Sequence, residues 1–210
     1  MCIICISKSG VRQPSEQEFS TMWNANPHGA GYMCIRDGMV EIHKGFMTYK
    51  EFRRNVDAEK FTDNDVVIYH FRISTQAGVN PHMTHPFPLT DDVENTRLLD
   101  LRCNVGIAHN GIIRITSNGD KEYSDTALFI ANYLPALIRD IEDVQDATVQ
   151  RCISDLIGSK MAFLTYKGDV VTVGKFITDN SGLIFSNDGY KEKQFFRTYS
   201  YMDRNLHWAM

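Results

Sequence analysis

The sequence predicts an α+β fold, antiparallel sheets with helices packed outside them, built by residues 1–210 as a single domain. Two observations carry this reading. The β-prone runs come in pairs joined by short turns, not in regular alternation with helices, which is the pattern of antiparallel sheets. No internal repeat, low-complexity segment or clear linker divides the chain, and 210 residues suffice for one substantial core.

Residues 2–7 read as a strand, with Cys2, Ile4 and Ile6 on one face and Ile3 and Cys5 on the other. Ser15 and Glu18 have capping-box spacing, so a helix runs from there to Ala25 before Asn26-Pro27 stops it. Gly29-Ala30-Gly31 leads into a strand over 32–35. Asp37-Gly38 signals a hairpin, and 39–42 returns beside it. Thr48 and Glu51 form a second box, opening a helix through Phe52 and Val56. Residues 65–72 make a strand with a buried run at 66–69. Residues 76–103 carry Pro81, Pro86 and Pro88 without clean periodicity and read as mostly loop, where function more often resides than filler. Residues 104–115 suggest a strand-turn-strand around Asn110-Gly111. Ser124 caps a helix through Leu128, Phe129, Ala131 and Tyr133, bent or ended near Pro135. A further helix covers about 142–156, with Gly158 as its stop. Residues 161–166 and 170–176 form a hairpin over Lys167-Gly168-Asp169, and 183–185 add a strand.

Composition excludes several functional classes. A net charge of −4 argues against a dominant nucleic-acid or anionic-membrane surface. No apolar run approaches the roughly 20 residues of a membrane span, and the first residues lack the pattern of a secretory leader. Five scattered cysteines, an odd number, do not suggest a disulfide framework and point to a reducing cytoplasm. Residues 191–208 interleave cations and aromatics, a pattern that can stack on single-stranded nucleic acid. The acidic total favours rings packed on the domain instead, or a docking surface for a partner chain.

Four positions carry candidate chemistry. Cys2 directly follows the initiator methionine. Once Met1 is removed, one residue holds both a thiol and a free α-amino group titrating at about 7.7–8.0, so the amine can act as base for its neighbour. The plainer reading is a small buried hydrophobe. Arg72 ends a buried strand, where its guanidinium can fork onto a carboxylate or pair with a local acid. Asn110-Gly111 is ordinarily a turn, but it can present a side-chain amide and a backbone N–H together as an oxyanion hole. Asp125 stands in the first turn of a helix, favoured there by the macrodipole or placed to hold a substrate ammonium. Cys2 and Cys5, like His82 and His85, have zinc-pair spacing. The two cysteines face opposite sides of a strand and no second cysteine pair exists, so neither metal nor cofactor is expected.

Together these elements resemble the class II glutamine amidotransferases, members of the N-terminal-nucleophile hydrolase superfamily. The resemblance rests on Cys2 after the initiator Met, Gly29-Ala30-Gly31, His70-x-Arg72-x-x-Thr75, His85-Pro86, His109-Asn110-Gly111-Ile112-Ile113 and Ser124-Asp125-Thr126, in matching order and spacing. It covers the N-terminus and residues 65–130; beyond residue 140 only the general pattern of helices and strands agrees. It implies a four-layer αββα sandwich with Cys2 at the end of a central strand. It further implies that Cys2 attacks the side-chain amide of glutamine, forming a γ-glutamyl thioester that water resolves to glutamate. Arg72 would hold the α-carboxylate with Thr75 nearby, Asp125 the α-ammonium, and Asn110 and Gly111 the oxyanion.

This chain departs from the family at two places. Ile3 stands where the family often has Gly, and Ile73 where many members have Trp. With no room for a synthase domain, the ammonia would pass to a separate acceptor enzyme. Two alternatives stand beside this reading: hydrolysis of another γ-glutamyl amide or peptide, and a catalytically silent binding or regulatory subunit.

Overall fold

The structure, a computed structural model, describes residues 1–74, 78–116 and 122–191. In chain order its elements are β1 (Ile3–Ser7), α1 (Glu16–Ala25), β2 (Ala30–Arg36), β3 (Met39–Phe46), α2 (Tyr49–Glu59), β4 (Val67–Phe71), β5 (Phe87–Pro88), β6 (Asp100–Cys103) and β7 (Val105–Asn110). There follow α3 (Asp125–Asn132), α4 (Leu134–Leu137), α5 (Ala147–Ile157), β8 (Lys160–Thr165), β9 (Val170–Val173), β10 (Ile177–Thr178) and β11 (Ile184–Phe185). The strands form two antiparallel sheets, one ordered β10-β11-β1-β4-β2-β3-β6 and the other β5-β7-β8-β9.

Local sequence explains most element ends. Ser15 and Glu18 close a complete capping box at the start of α1. The Thr48 hydroxyl accepts from the Glu51 N–H at the start of α2. Asp37 and Gly38 adopt φ of 49° and 71°, the left-handed pair that a two-residue turn between β2 and β3 requires. Gly158, at φ 56°, stops α5 as expected.

Strand parity then sorts the apolar side chains into three clusters. Ile3, Cys5, Tyr32 and Tyr69 face α1 and α2, meeting Phe19, Met22 and Phe52. Ile4, Ile6, Met33 and Ile68, from the opposite face of the same sheet, meet Ala108, Ala162 and Leu164 of the four-stranded sheet. Ile107, Met161 and Phe163, on that sheet's other face, pack against Phe129 of α3 and Ile153 and Ile157 of α5. Each fully buried side chain of this size contributes about 1.5–3 kcal/mol relative to exposure. Among the described residues no helix is long and apolar enough to cross a membrane.

Three expectations change. The region expected to be mostly loop, 76–103, holds β5, β6 and two 3₁₀ turns, Pro81–Met83 and Val93–Arg97. A buried lysine pins it: Lys44 Nζ donates to the carbonyls of His82 (2.9 Å) and Thr96 (2.5 Å) and sits 4.0 Å over the Phe87 ring. Asn110-Gly111 is not a hairpin turn. β7 ends at Asn110 and pairs with β8, some fifty residues on, because Gly111 packs directly on Ser159 at the entry to β8. The helix expected from 142 begins at Ala147, since the Asp146 carboxylate accepts from the N–H groups of Thr148 and Val149 and caps it there. Ile141–Gln145 is a separate 3₁₀ turn, and β10 is an additional short strand.

Gly31 is a point of close approach. A Cβ there would lie 2.3 Å from the His85 carbonyl oxygen and 2.6 Å from Lys44 Cβ. Because backbone rather than a flexible side chain blocks the space, Gly31→Ala should cost about 1–3 kcal/mol through overpacking. Urea unfolding checks this; an unchanged midpoint would show that the 81–88 segment yields freely.

Candidate active site

The site begins with strand register. β1 pairs antiparallel with β4 so that Ile3 lies opposite Phe71 and Ile4 opposite His70. One step further along both strands sets Cys2 beside Arg72. Both then fall on the parity of Ile4 and Ile68, the face turned toward the four-stranded sheet. Cys2 is half-buried, and its Sγ–H points at the Ile73 carbonyl (3.7 Å). Two asparagines hold the backbone around it: Asn26 Nδ2 donates to the Met1 carbonyl (2.8 Å) and Asn187 Nδ2 to the Cys2 carbonyl (2.7 Å). Burial raises the Cys2 thiol pKa, opposed by the chain's α-ammonium group and by Arg72.

Arg72 is fixed through its backbone. Its N–H donates to the Gly29 carbonyl (2.8 Å) and its carbonyl accepts from the His28 N–H (3.0 Å). His28, which carried no special reading in the sequence, also accepts the Ser74 N–H at Nδ1 (3.0 Å). Burial pulls the Arg72 pKa down, opposed by Cys2 and Asp125. Asp125 opens α3 behind its N-cap Ser124. Its carboxylate accepts from the N–H of Ile113 (2.6 Å) and of Thr126 (2.9 Å), so the same side chain starts the helix and ties the loop after β7 to it. Burial nonetheless raises its pKa.

Asn110 and Gly111 stand at the end of β7. Asn110 is buried; its Nδ2 donates to Ser186 Oγ (2.9 Å), and its Oδ1 has no hydrogen-bond partner among the described residues. Ser186 Oγ also accepts the Ile4 N–H (2.9 Å), which couples Asn110 to the strand that carries Cys2. His109 anchors the same strand end on the other face, through Thr126 Oγ1 at Nδ1 (2.8 Å) and Ser159 Oγ at Nε2 (2.7 Å). A carbonyl can only accept, so His70 carries its proton on Nε2 and donates to the His109 carbonyl (3.0 Å), joining the two sheets. His85 lies against His70 with ring centroids 4.3 Å apart and the rings tilted by 31°, and neither of its ring nitrogens has a hydrogen-bond partner among the described residues.

Two cavities meet at Cys2. A small one, about 40 Å³, is lined by Cys2, Arg72, Gly111 and Asp125, with His85 and His109 behind them. A larger cleft of about 550 Å³ shares Cys2, Ile73 and Gly111 and continues past Ile112 to the end of α5. The structure therefore brings together four of the six expected positions. Asn110 lies next to Gly111 but is not part of either lining. Thr75 falls outside the described residues, as does the aromatic and basic segment beyond Lys191. Asn26, Asn187, Ser186 and Ser159, which hold the site in place, carry no signal in the sequence. Cys5 lies in the helix-facing core, away from Cys2, and among the described residues no group of three or more His, Cys, Asp or Glu is placed to hold a metal.

Neither a protein-family model nor a curated protein matches the chain.

The buried histidines set a pH limit on the fold. Burial holds His70 and His109 at about 3, against about 6.5 for an exposed imidazole. Between these values the unfolded chain binds protons that the folded one does not. Stability is therefore complete above about pH 6.5 and falls toward about pH 3, by about 1.4 kcal/mol per pH unit for each histidine. The urea midpoint should drop clearly between pH 7 and pH 5. A midpoint unchanged over that range would mean that these rings titrate normally.

Proposed function

We propose that the chain is a γ-glutamyl amide hydrolase of the class II glutamine amidotransferase type. After loss of Met1, Cys2 is the nucleophile and glutamine the simplest substrate. The observation that carries this reading is the convergence of Cys2, Arg72, Gly111 and Asp125, from four separate parts of the chain, on one small pocket. A free amino acid presents a carboxylate and an ammonium on one carbon, and a buried cation and a half-buried anion lining one pocket with a thiol are the complement of such a head group. The three apolar clusters support arranging the layers as helices, sheet, sheet, helices, the four-layer αββα sandwich that the resemblance implies.

In this mechanism the Cys2 α-amine accepts the thiol proton, and the sulfur attacks the γ-carbonyl carbon. The developing oxyanion is met by the Gly111 N–H; Asn110, behind the pocket lining, carries a second amide hydrogen beyond the one given to Ser186 and would have to turn it toward the pocket to join. The C–N bond breaks, the amine leaves with the proton, and a γ-glutamyl thioester remains. Water then adds, the C–S bond breaks, and glutamate departs as the thiol is restored. Released ammonia is free for a separate acceptor enzyme.

An electrophilic glutamine analogue such as a diazo-ketone should modify Cys2 alone, on chains that have lost Met1, as read by intact mass and peptide mapping. Cys34 is buried and Cys103 half-buried, both thiols pushed up to about 12 by desolvation, and Cys152 is exposed but not part of the pocket lining, so labelling at any of these would overturn the assignment. Cys2→Ser should abolish thioester formation while leaving the fold intact. Chains from the native host that retain Met1 would favour the catalytically silent reading.

Arg72→Ala removes an anchor shared by ground and transition states. It should raise KM by roughly 10- to 150-fold, the equivalent of about 1.5–3 kcal/mol for a charged hydrogen bond, with kcat little changed. An unchanged KM would remove Arg72 from the substrate site.

A further inference from the structure

The two cavities that meet at Cys2 differ in size and in chemistry, and this difference bears on what the leaving group is. The inference rests on the hydrolase reading above. If the α-carboxylate and α-ammonium of a γ-glutamyl group sit between Arg72 and Asp125, its γ-carbonyl reaches Cys2 and Gly111, two of the three residues that both cavities share. The bond from that carbonyl to nitrogen then points out of the small pocket and into the cleft. Ammonia as the only leaving group would need room for one molecule of water size, about 10–15 Å³ of cavity. The cleft holds about 550 Å³.

Its walls set large apolar side chains among polar ones. Ile112, 45% exposed, follows the Gly111 turn, and Leu156, 38% exposed, projects from the last turn of α5 above the buried Ile157. Large apolar side chains left in water beside a nucleophile are the surface an apolar ligand group would cover. Arg114 and Asp155 bring one charge of each sign to the rim, a balance that does not select for a charged group. Met1 also lines the cleft, so its removal, which the hydrolase reading requires, lengthens the cleft toward Cys2.

We propose that the preferred substrate is a γ-glutamyl amide whose amine half carries a neutral apolar group of about leucine size, seated in the cleft against Ile112 and Leu156. The reaction balances as for glutamine. Cys2 Sγ bonds to the γ-carbon, the C–N bond breaks, and the thiol proton leaves on the apolar amine. Water then cleaves the thioester, giving glutamate and the restored thiol.

The test uses the full chain after Met1 removal, verified by mass, with glutamine and two N-alkyl amides of matched reactivity, γ-glutamyl methylamide and γ-glutamyl isopentylamide. The kcat/KM for the isopentylamide should exceed those for the other two by about tenfold or more, the discrimination that a few methylenes earn in an apolar pocket. Leu156→Asp should lower the ratio of isopentylamide to glutamine kcat/KM by about tenfold. Cleavage of glutamine with the isopentylamide equal or worse would overturn this inference and leave the thioester mechanism standing. A preference that Leu156→Asp does not move would also overturn it, because the amine would then sit elsewhere. Cleavage of none of the three would remove the hydrolase reading itself, and this inference with it.

Discussion

The site depends on the burial of the first strand. β1 lies inside the seven-stranded sheet, hydrogen-bonded to β4 on one side and β11 on the other, and every one of its residues is buried. An N-terminal segment left at a sheet edge would fray, as chain ends generally do. Here the ladder to β4 fixes the register residue by residue, and a slip of one position would turn Ile4 and Ile6 out of the space between the sheets. The same ladder decides that the residue before β1 meets the residue after β4. The neighbourhood of Cys2 and Arg72 thus follows from backbone pairing and core packing, which are energetically far larger than any contact between the two side chains.

The second sheet completes the arrangement through polar ties at its strand ends. Ser186 Oγ accepts from both the Ile4 N–H and Asn110 Nδ2, and the His109 carbonyl receives the His70 N–H, so the end of β7 is bonded to β1 and β4 across the gap between sheets. Gly111 then has to meet Ser159, with a would-be Cβ only 2.3 Å from the serine Cβ, and nothing larger than glycine fits. Asp125 closes the loop by taking the Ile113 N–H. Each tie is a modest net contribution, about 0.5–1.5 kcal/mol for a neutral pair. Their joint effect is positional: they bring a strand end, a loop and a helix start to one pocket.

Burial dominates the electrostatics of that pocket. Burial raises the Cys2 thiol and the Asp125 carboxyl and lowers Arg72, each toward its neutral form. Taking charged groups out of water is costly to a fold. Under the proposed function that cost has a purpose, since the pocket receives a head group whose two charges are opposite to those of Arg72 and Asp125. The buried histidines behind the pocket stand in the opposite condition. His70 and His109 stay neutral and spend their protons on structural hydrogen bonds.

Much of the architecture was legible in the sequence because it is written in local physics. Ser15 with Glu18, Thr48 with Glu51, Asp37-Gly38 and Gly158 mark their own helix and turn boundaries through bonds that span a few residues. Alternation along 2–7 assigned the two faces of β1 for the same reason. The sequence alone also singled out Cys2, Arg72, Gly111 and Asp125 by residue type and order. It placed a turn at Asn110-Gly111 and missed the short strands and 3₁₀ turns within the mostly irregular 76–103, because the partners that decide those segments, β8, Ser159 and Lys44, lie far along the chain. Nor could it reveal Asn26, Asn187 and Ser186, which hold the first two residues and Asn110 from positions up to 185 residues away. Local propensity determines which elements form and which side chains are offered. Only the packed sheets decide which of them meet, since long-range pairing is set by the burial of whole faces and not by any short stretch of chain.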